Sequence, residues 1–255
     1  MDEERKYRIK TFLKDGVREG VFPGAVLLAA QKGQVLIHEE IGHLSLVPEA
    51  FPMKRDTIFD LASLTKPLAT TLAIMKLVDE GRIDIDQTLD SLLTCDVPKD
   101  KRTLTPRLLL CHCAGFADWK PFYLELQSLE VEKRKESLRE RLLNMQLVYR
   151  PGDETLYSDL GFMFLEWVIE ERAGMPFPMY LEQHFYIPLS LNNTFFSSDI
   201  LPAGFTEDQF AATEDCPWRK KIVSGYVHDE NAYALGGYSG HAGPVSYTHL
   251  TLPTN

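Results

Sequence analysis

The chain has 255 residues and a formal net charge of −10 at pH 7, with 44% hydrophobic and 25% charged residues. This length and composition are ordinary for a globular protein of one large domain or two closely packed ones. The negative charge argues against nucleic acid and anionic membranes as partners, and no apolar run approaches the ~20 residues of a membrane span.

The first residues and the cysteines bear on the cellular compartment. Residues 1–6 are mostly charged and lack the apolar core of a secretory signal. The four cysteines, at 95, 111, 113 and 216, have no spacing typical of a disulfide framework. We therefore expect a cytoplasmic protein, with a periplasmic location left open if the native start lies upstream.

Apolar periodicity and turn residues predict the elements in chain order. They are a helix at 3–17, a β-hairpin of strands 25–30 and 35–41, a loop at 44–55, and helices at 68–81, 106–111, 124–143, 159–172 and 179–185. The 124–143 helix is charged and predicted to be mostly solvated, whereas the 159–172 helix is predicted to be amphipathic. From residue 191 the pattern loosens into short apolar runs. This order predicts an α+β fold, a sheet layer interrupted by a mainly helical insertion.

Ser63 and Lys66 stand three residues apart where the 68–81 helix is expected to begin. At that spacing two side chains share one helix face. A serine hydroxyl becomes a useful nucleophile when a neighbouring base takes its proton, and a neutral amine one turn away can be that base. The alternatives are a chance match of a weak pattern and a serine that only caps a helix.

A second group, Tyr157-Ser158-Asp159, follows a Pro-Gly turn and precedes the 159–172 helix. A tyrosine beside a cation can accept or shuttle a proton, and Lys66 would be such a cation. The alternatives are a half-buried aromatic at Tyr157 and a simple helix cap at Asp159.

Together these groups resemble the serine β-lactamase and penicillin-binding protein superfamily. The closest likeness is to the class C β-lactamase-like branch, which includes family VIII esterases and D-alanyl-D-alanine carboxypeptidase-like proteins. The superfamily carries Ser-x-x-Lys, and this branch has Tyr-x-Asn as its second motif, where the chain has Asp159. Flanking segments also match in the family's order, namely Phe22–Ala25, Leu108–Phe116, Pro151–Gly152, Val227–Ala232 and Gly240–Gly243.

The resemblance implies a β-lactamase/transpeptidase-like fold and a serine hydrolase that acts through an acyl-enzyme on a small-molecule ester or amide. It implies Ser63, Lys66 and Tyr157 as catalytic residues, with Asp159, His228 and His241 as substrate-binding or adjoining residues, and neither a cofactor nor a metal. Whether Lys66 or Tyr157 is the base stays open, as does the oligomeric state. The alternatives are a β-lactamase and a non-catalytic homologue that binds peptidoglycan or another ligand.

The end of the chain departs from the family pattern. His241-Ala242-Gly243 matches the third motif, His-x-Gly, but relatives carry that motif later, so we interpret the match as false. Residues 244–255 read like a translated sequencing adapter. We therefore expect a truncated, impaired hydrolase without the third-motif strand, its neighbouring strands and a C-terminal helix. The expected regions are 1–62 in the sheet layer, 63–190 helical, 191–243 an incomplete return to the sheet, and 244–255 a non-native tail.

Two zinc-like patterns do not fit a metal site. The histidines of His38-Glu39-Glu40-Ile41-Gly42-His43 are one residue too far apart for the zinc-protease motif, and the segment is predicted as strand. Cys111-His112-Cys113 is too tightly spaced and lacks a second pair of ligands.

Overall fold

The computed structural model describes residues 1–197 and 201–248. Its longer helices are α1 (Glu3–Arg18), α2 (Thr71–Asp79), α6 (Val131–Asn144) and α7 (Asp159–Ala173), and its short ones are α3 (Leu89–Leu92), α4 (Pro106–Leu110), α5 (Tyr123–Leu126), α8 (Phe177–Leu181) and α9 (Glu230–Ala234). Two π-helical turns, Lys66–Thr70 and Glu182–Tyr186, adjoin α2 and α8.

The strands form three small antiparallel sheets. They are β1 (Gly24–Gln31), β2 (Gln34–Ser45), β3 (Phe51–Pro52), β4 (Ile58–Asp60), β5 (Phe195–Phe196), β6 (Ala212–Cys216), β7 (Lys221–Ser224) and β8 (Pro244–Tyr247). Their orders are β1-β2-β3, β4-β8-β5 and β6-β7. The expected mixture of antiparallel sheet and helical region is confirmed.

The predicted hairpin is present and longer than expected. Lys32 and Gly33, both with positive φ, form the two-residue turn between β1 and β2. The predicted loop at 44–55 is partly wrong, because β2 continues to Ser45 and residues 51–52 pair with it as β3.

The main core surrounds α7. Every residue from Leu160 to Ile169 is buried, and the helix packs against α2, α3, α4, α6 and α8. The prediction of an amphipathic helix here was wrong, because a central helix is covered on all sides. Its one charge in that stretch, Glu166, forms an ion pair with Lys135 of α6.

Two other helix predictions need correction. The predicted 124–143 helix is two helices, α5 and α6, separated at residues 127–130. The predicted 179–185 helix is α8 followed by a π-helical turn.

Residues 244–247 of the expected tail form β8, which lies between β4 and β5. The rest of the expected tail, from 249 to 255, lies outside the described residues. In the part of the chain that is described, no helix combines the length and the apolar character needed to cross a membrane.

Candidate active site

Ser63 lies in a short 3₁₀ turn, Ala62–Leu64, between β4 and the π-helical turn at Lys66. Ala62 has φ +45°, a left-handed conformation that is costly for a residue with a Cβ. The Asp60 carboxylate accepts a hydrogen bond from the Ala62 N–H at 2.8 Å, and the Thr65 hydroxyl donates to the Ala62 carbonyl at 2.6 Å. The turn is therefore fixed from both sides, and it leaves Ser63 exposed.

Lys66 is almost completely buried, at 3% exposure, and lies against the serine. Its Nζ donates to the Ser63 Oγ at 2.9 Å. The same atom is 2.7 Å from Oδ1 of Asp159 and 3.4 Å from the His241 carbonyl oxygen. A buried ammonium is expensive unless it is paired and hydrogen-bonded, and these three partners meet that need.

Tyr157 reaches this group from the loop before α7. The Lys66 Nζ lies 4.8 Å from the centroid of the Tyr157 ring, a cation–π contact. Tyr157 is 52% exposed, so a molecule in solvent can reach the ring. Within the described residues, the Tyr157 hydroxyl makes no hydrogen bond to Ser63 or Lys66. The structure thus brings the serine, the lysine and the tyrosine ring together.

Asp159 stands in the first turn of α7, which is capped by Ser158 rather than by Asp159. An acidic side chain is favourable at that end of a helix. Its carboxylate faces Lys66, where an asparagine would present a neutral amide. The carboxylate lies 2.7 Å from the Lys66 Nζ and forms an ion pair with it.

His241 lies beneath Lys66 and is paired with Asp229. The His241 Nε2 is 2.9 Å from the Asp229 Oδ1, and Asp229 also caps α9 by accepting from the Ala232 N–H. Burial alone would lower the pKa of His241, but the Asp229 carboxylate outweighs it and raises that pKa. Burial alone would raise the pKa of Asp229, whereas the charge of His241 and its hydrogen bond lower it to about 2. The Asp229 carboxylate therefore favours the protonated form of the His241 imidazole.

Among the described residues, Asp159, Asp229 and His241 could in principle share a metal ion, because each has a ligand atom within 4.8 Å of the other two. The Lys66 ammonium already supplies positive charge to this cluster. The carboxylates of this cluster thus already face the amine of Lys66 and the imidazole of His241.

His228 does not join the group. Its Nε2 lies 3.2 Å from the Glu214 carboxylate, on a part of the surface where both side chains are partly exposed. Only its backbone reaches the site, because the His228 N–H donates to Asp60 Oδ2 at 2.7 Å. Burial raises the pKa of Asp60, against the hydrogen bonds from Ala62 and His228.

Asp60 and His112 were not predicted as site residues, and for Asp229 the sequence left a position in the cleft and a loop hydrogen bond equally open. Asp60 lies three residues before Ser63. His112 and Asp229 lie in segments that carry the family resemblance, so all three residues stand next to motifs that the sequence analysis identified. Their contacts join residues 12 to 168 positions apart, which no local pattern indicates.

Comparison with known proteins shows the family of the chain. The family model described as Beta-lactamase matches residues 9–245. A putative D-alanyl-D-alanine carboxypeptidase of Salmonella paratyphi A is 32% identical over 273 residues, covering 97% of this chain and 62% of the relative. The chain therefore spans less than two thirds of the length of that relative.

Two solved structures have similar folds. The octameric penicillin-binding protein homologue from Pyrococcus abyssi aligns with a TM-score of 0.75 and 21% identity, covering 97% of this chain and 54% of that one. EstCE1, a hydrolase with promiscuous acyltransferase activity, aligns with a TM-score of 0.69 and 26% identity, covering 95% and 69%.

Proposed function

Because the chain belongs to the β-lactamase family, we propose that it is a serine hydrolase in which Ser63 forms an acyl-enzyme with a small-molecule ester or amide. The observation that carries this proposal is the hydrogen bond of 2.9 Å between the Lys66 Nζ and the Ser63 Oγ, next to the Tyr157 ring. A nucleophile within hydrogen-bond reach of a potential base is the geometry that covalent catalysis requires.

In the first step the Ser63 Oγ attacks the substrate carbonyl carbon, and its proton passes to the pair formed by Lys66 and Tyr157. The backbone N–H of Ser63 is one donor for the oxyanion that develops, and such a donor is typically worth about 3–4 kcal/mol. The carbon–oxygen or carbon–nitrogen bond to the leaving group then breaks, and the leaving group takes up the proton.

In the second step water attacks the acyl-enzyme. The bond between the acyl carbon and the Ser63 Oγ breaks, the serine recovers a proton, and the acid is released. Both steps need the same proton carriers, so Lys66 and Tyr157 serve in each direction.

Exposed apolar side chains flank the site residues in the chain, and we infer an apolar acyl group from them. Leu64 and Leu156, next to Ser63 and Tyr157 in the chain, are exposed, as is Trp119. Trp119 belongs to a segment that packs on the start of α7, because the Asp159 N–H donates to the Asp118 carbonyl at 2.9 Å. Exposed apolar side chains around a polar centre are typical of small-molecule sites. A short-chain ester is therefore the first substrate to test.

Two other substrate classes remain candidates. The relative named as a putative D-alanyl-D-alanine carboxypeptidase makes a D-Ala-D-Ala peptide the second, and family membership makes a β-lactam the third. A non-catalytic ligand-binding protein is the alternative of another class, and the intact Ser63–Lys66 hydrogen bond argues against it.

The test is hydrolysis of p-nitrophenyl acetate, a D-Ala-D-Ala peptide and nitrocefin by the wild-type protein and Ser63→Ala. Ser128→Ala is a matched control, since that hydroxyl donates only to the Glu125 carbonyl. We expect ester hydrolysis that is lost in Ser63→Ala and kept in Ser128→Ala. Activity equal in all three proteins would refute Ser63 as the nucleophile.

A further inference from the structure

His112 follows α4 and is tied to both sides of Tyr157. Its Nδ1 accepts a hydrogen bond of 3.0 Å from the Ser158 N–H. Its carbonyl oxygen accepts from the Leu156 N–H at 3.0 Å and from the Tyr149 hydroxyl at 2.9 Å. One residue thus fixes the backbone immediately before and immediately after the tyrosine.

The imidazole of His112 also supports the tyrosine ring itself. Its centroid lies 4.5 Å from that of Tyr157 and 5.2 Å from that of Phe162. The Lys66 Nζ lies 4.8 Å and 5.6 Å from the centroids of the same two rings. Tyr157 and Phe162 therefore contact both the lysine and the histidine.

The backbone of His112 is held in an uncommon conformation. Its φ is +58°, in the left-handed region that side chains with a Cβ rarely adopt. Such a conformation persists only where the surroundings determine it, and here both the carbonyl and the ring of the residue are in use.

The protonation state of His112 matters, because the Nδ1 that accepts from Ser158 must carry no hydrogen. The charged groups that act on the ring are Lys66, from the π-helical turn, and Asp159, from α7, and the tyrosine that stacks on it is Tyr157. Burial, and then the charge of Lys66, lower the pKa of His112. The charge of Asp159 opposes that shift without cancelling it. The ring is therefore neutral at pH 7.

We propose that His112 is a positioning residue that holds Tyr157 against Lys66 only while its imidazole is neutral. This proposal rests on the proposed function, since the position of Tyr157 matters for turnover only in a hydrolase. Protonation of the ring would set an N–H against the N–H of Ser158 and break that hydrogen bond. Acid would then release the tyrosine before it unfolds the protein.

Two substitutions test separately the ring of His112 and its role as a hydrogen-bond acceptor. His112→Asn keeps an acceptor oxygen near the Nδ1 position and removes the ring, whereas His112→Phe keeps a ring and removes the acceptor. His184→Asn is the matched control, because His184 stacks on Tyr180 with a similar geometry of 4.4 Å and 38°. The control should leave the rate and pH profile of Ser63 acylation unchanged.

The first readout is the rate at which the Ser63 Oγ displaces fluoride from a fluorophosphonate between pH 4 and pH 8, a reaction that stands in for acylation. The wild-type rate should fall in acid, below the ordinary histidine pKa of about 6.5. His112→Phe should be slower by roughly 10- to 100-fold at every pH, the usual cost of a misplaced group. His112→Asn should lose the acid fall, because an amide does not titrate in this range. A wild-type rate and pH profile in His112→Phe would overturn the proposal.

The second readout needs neither turnover nor a variant. In the NMR spectrum of the wild-type protein, the Ser158 amide signal and the Tyr157 ring signals should move together with the His112 ring as it titrates. Signals of Ser158 and Tyr157 that stay fixed through that titration would refute the positioning role. Coupled titration without any acylation would instead uphold the positioning of Tyr157 and refute the hydrolase.

Discussion

The Lys66 ammonium and the Asp159 carboxylate lie 2.7 Å apart beneath the exposed Ser63. The lysine side chain is 4% exposed and that of the aspartate 18%, so water screens the pair weakly. Lys66 also donates to the Ser63 hydroxyl, so its amine lies between the serine and the carboxylate. Acylation must begin by moving a proton out of this arrangement.

Asp159→Asn should destabilise the protein. The amide removes the negative charge that lies 2.7 Å from the buried Lys66 Nζ, and losing one partner of a buried pair costs up to about 3–5 kcal/mol. The measurement is urea unfolding at pH 7. Asp153→Asn, the same chemical change in the exposed turn before Tyr157, is the control and should leave the stability unchanged. Wild-type stability in Asp159→Asn would contradict the role given to this carboxylate.

Asp229→Asn should destabilise the protein more at pH 5 than at pH 9. Because the pKa of His241 is raised in the folded protein, its pairing with Asp229 stabilises the fold fully at a pH below the ordinary histidine pKa. That stabilisation is lost as the pH rises through the pKa of His241 in the folded protein. The pKa of Asp229 is lowered to about 2, so its carboxylate contributes to stability at any pH above the ordinary carboxyl pKa. Breaking a buried pair costs about 3–5 kcal/mol, and that loss is expected at pH 5.

Urea unfolding at the two pH values measures this difference. Glu214→Gln breaks the exposed pair with His228 and is the control, expected to cost no more than about 1 kcal/mol. Equal losses for Asp229→Asn at both pH values would show that His241 is neutral throughout.

Gly240→Ala should destabilise the protein and disturb the site. An added Cβ would lie 2.1 Å from the Phe162 carbonyl oxygen, and backbone cannot move aside easily. The Gly240 carbonyl oxygen accepts a hydrogen bond from the Thr70 hydroxyl. Gly240 also precedes His241, whose carbonyl oxygen accepts from Lys66, so a displacement of this backbone would displace Lys66. We expect a loss of about 1–3 kcal/mol, or more, in urea unfolding.

Gly161→Ala is the matched control for that substitution. Its added Cβ would meet the Leu109 carbonyl oxygen at 3.5 Å, an ordinary contact, inside α7. Alanine should therefore stabilise that helix by up to about 1 kcal/mol. Similar stabilities for the two alanine variants would contradict the close packing of Gly240 on α7.

Ala62→Gly should raise the free energy of unfolding by up to about 1 kcal/mol. Glycine tolerates the positive φ of Ala62, and that relief outweighs the greater freedom of glycine in the unfolded chain. Thermal unfolding measures the change. Ala173→Gly, in the last turn of α7, is the contrast and should lose up to about 1 kcal/mol. Destabilisation by Ala62→Gly would mean that the turn before Ser63 carries no such strain.

Local patterns predicted the elements whose neighbours in sequence are also neighbours in space. The β1–β2 hairpin depends on a two-residue turn, and α1 ends at Arg18, two residues before Gly20. The burial of α7 could not be predicted in this way, because Glu166 gave it a polar face that only tertiary contacts neutralise. That carboxylate accepts from Lys135, the Ser239 hydroxyl and the Gly240 N–H.

The same difference between local and distant contacts applies to the site. Ser63 and Lys66 were candidates from their spacing of three and were predicted as catalytic through the family resemblance, and the structure joins them by a hydrogen bond. Tyr157 was predicted through the family resemblance, and its ring reaches Lys66. The support from Asp60, His112 and Asp229 comes from backbone and side-chain hydrogen bonds between distant segments, for which a single sequence has no signal.

The central claim is that Ser63 is a nucleophile activated by Lys66, and the most direct measurement is the mass of the protein after reaction with a fluorophosphonate. We predict a single adduct on the tryptic peptide that contains Ser63, absent in Ser63→Ala and formed at least ~100-fold more slowly in Lys66→Met. A folded wild-type protein that stays unmodified, or an adduct on another residue, would contradict the claim.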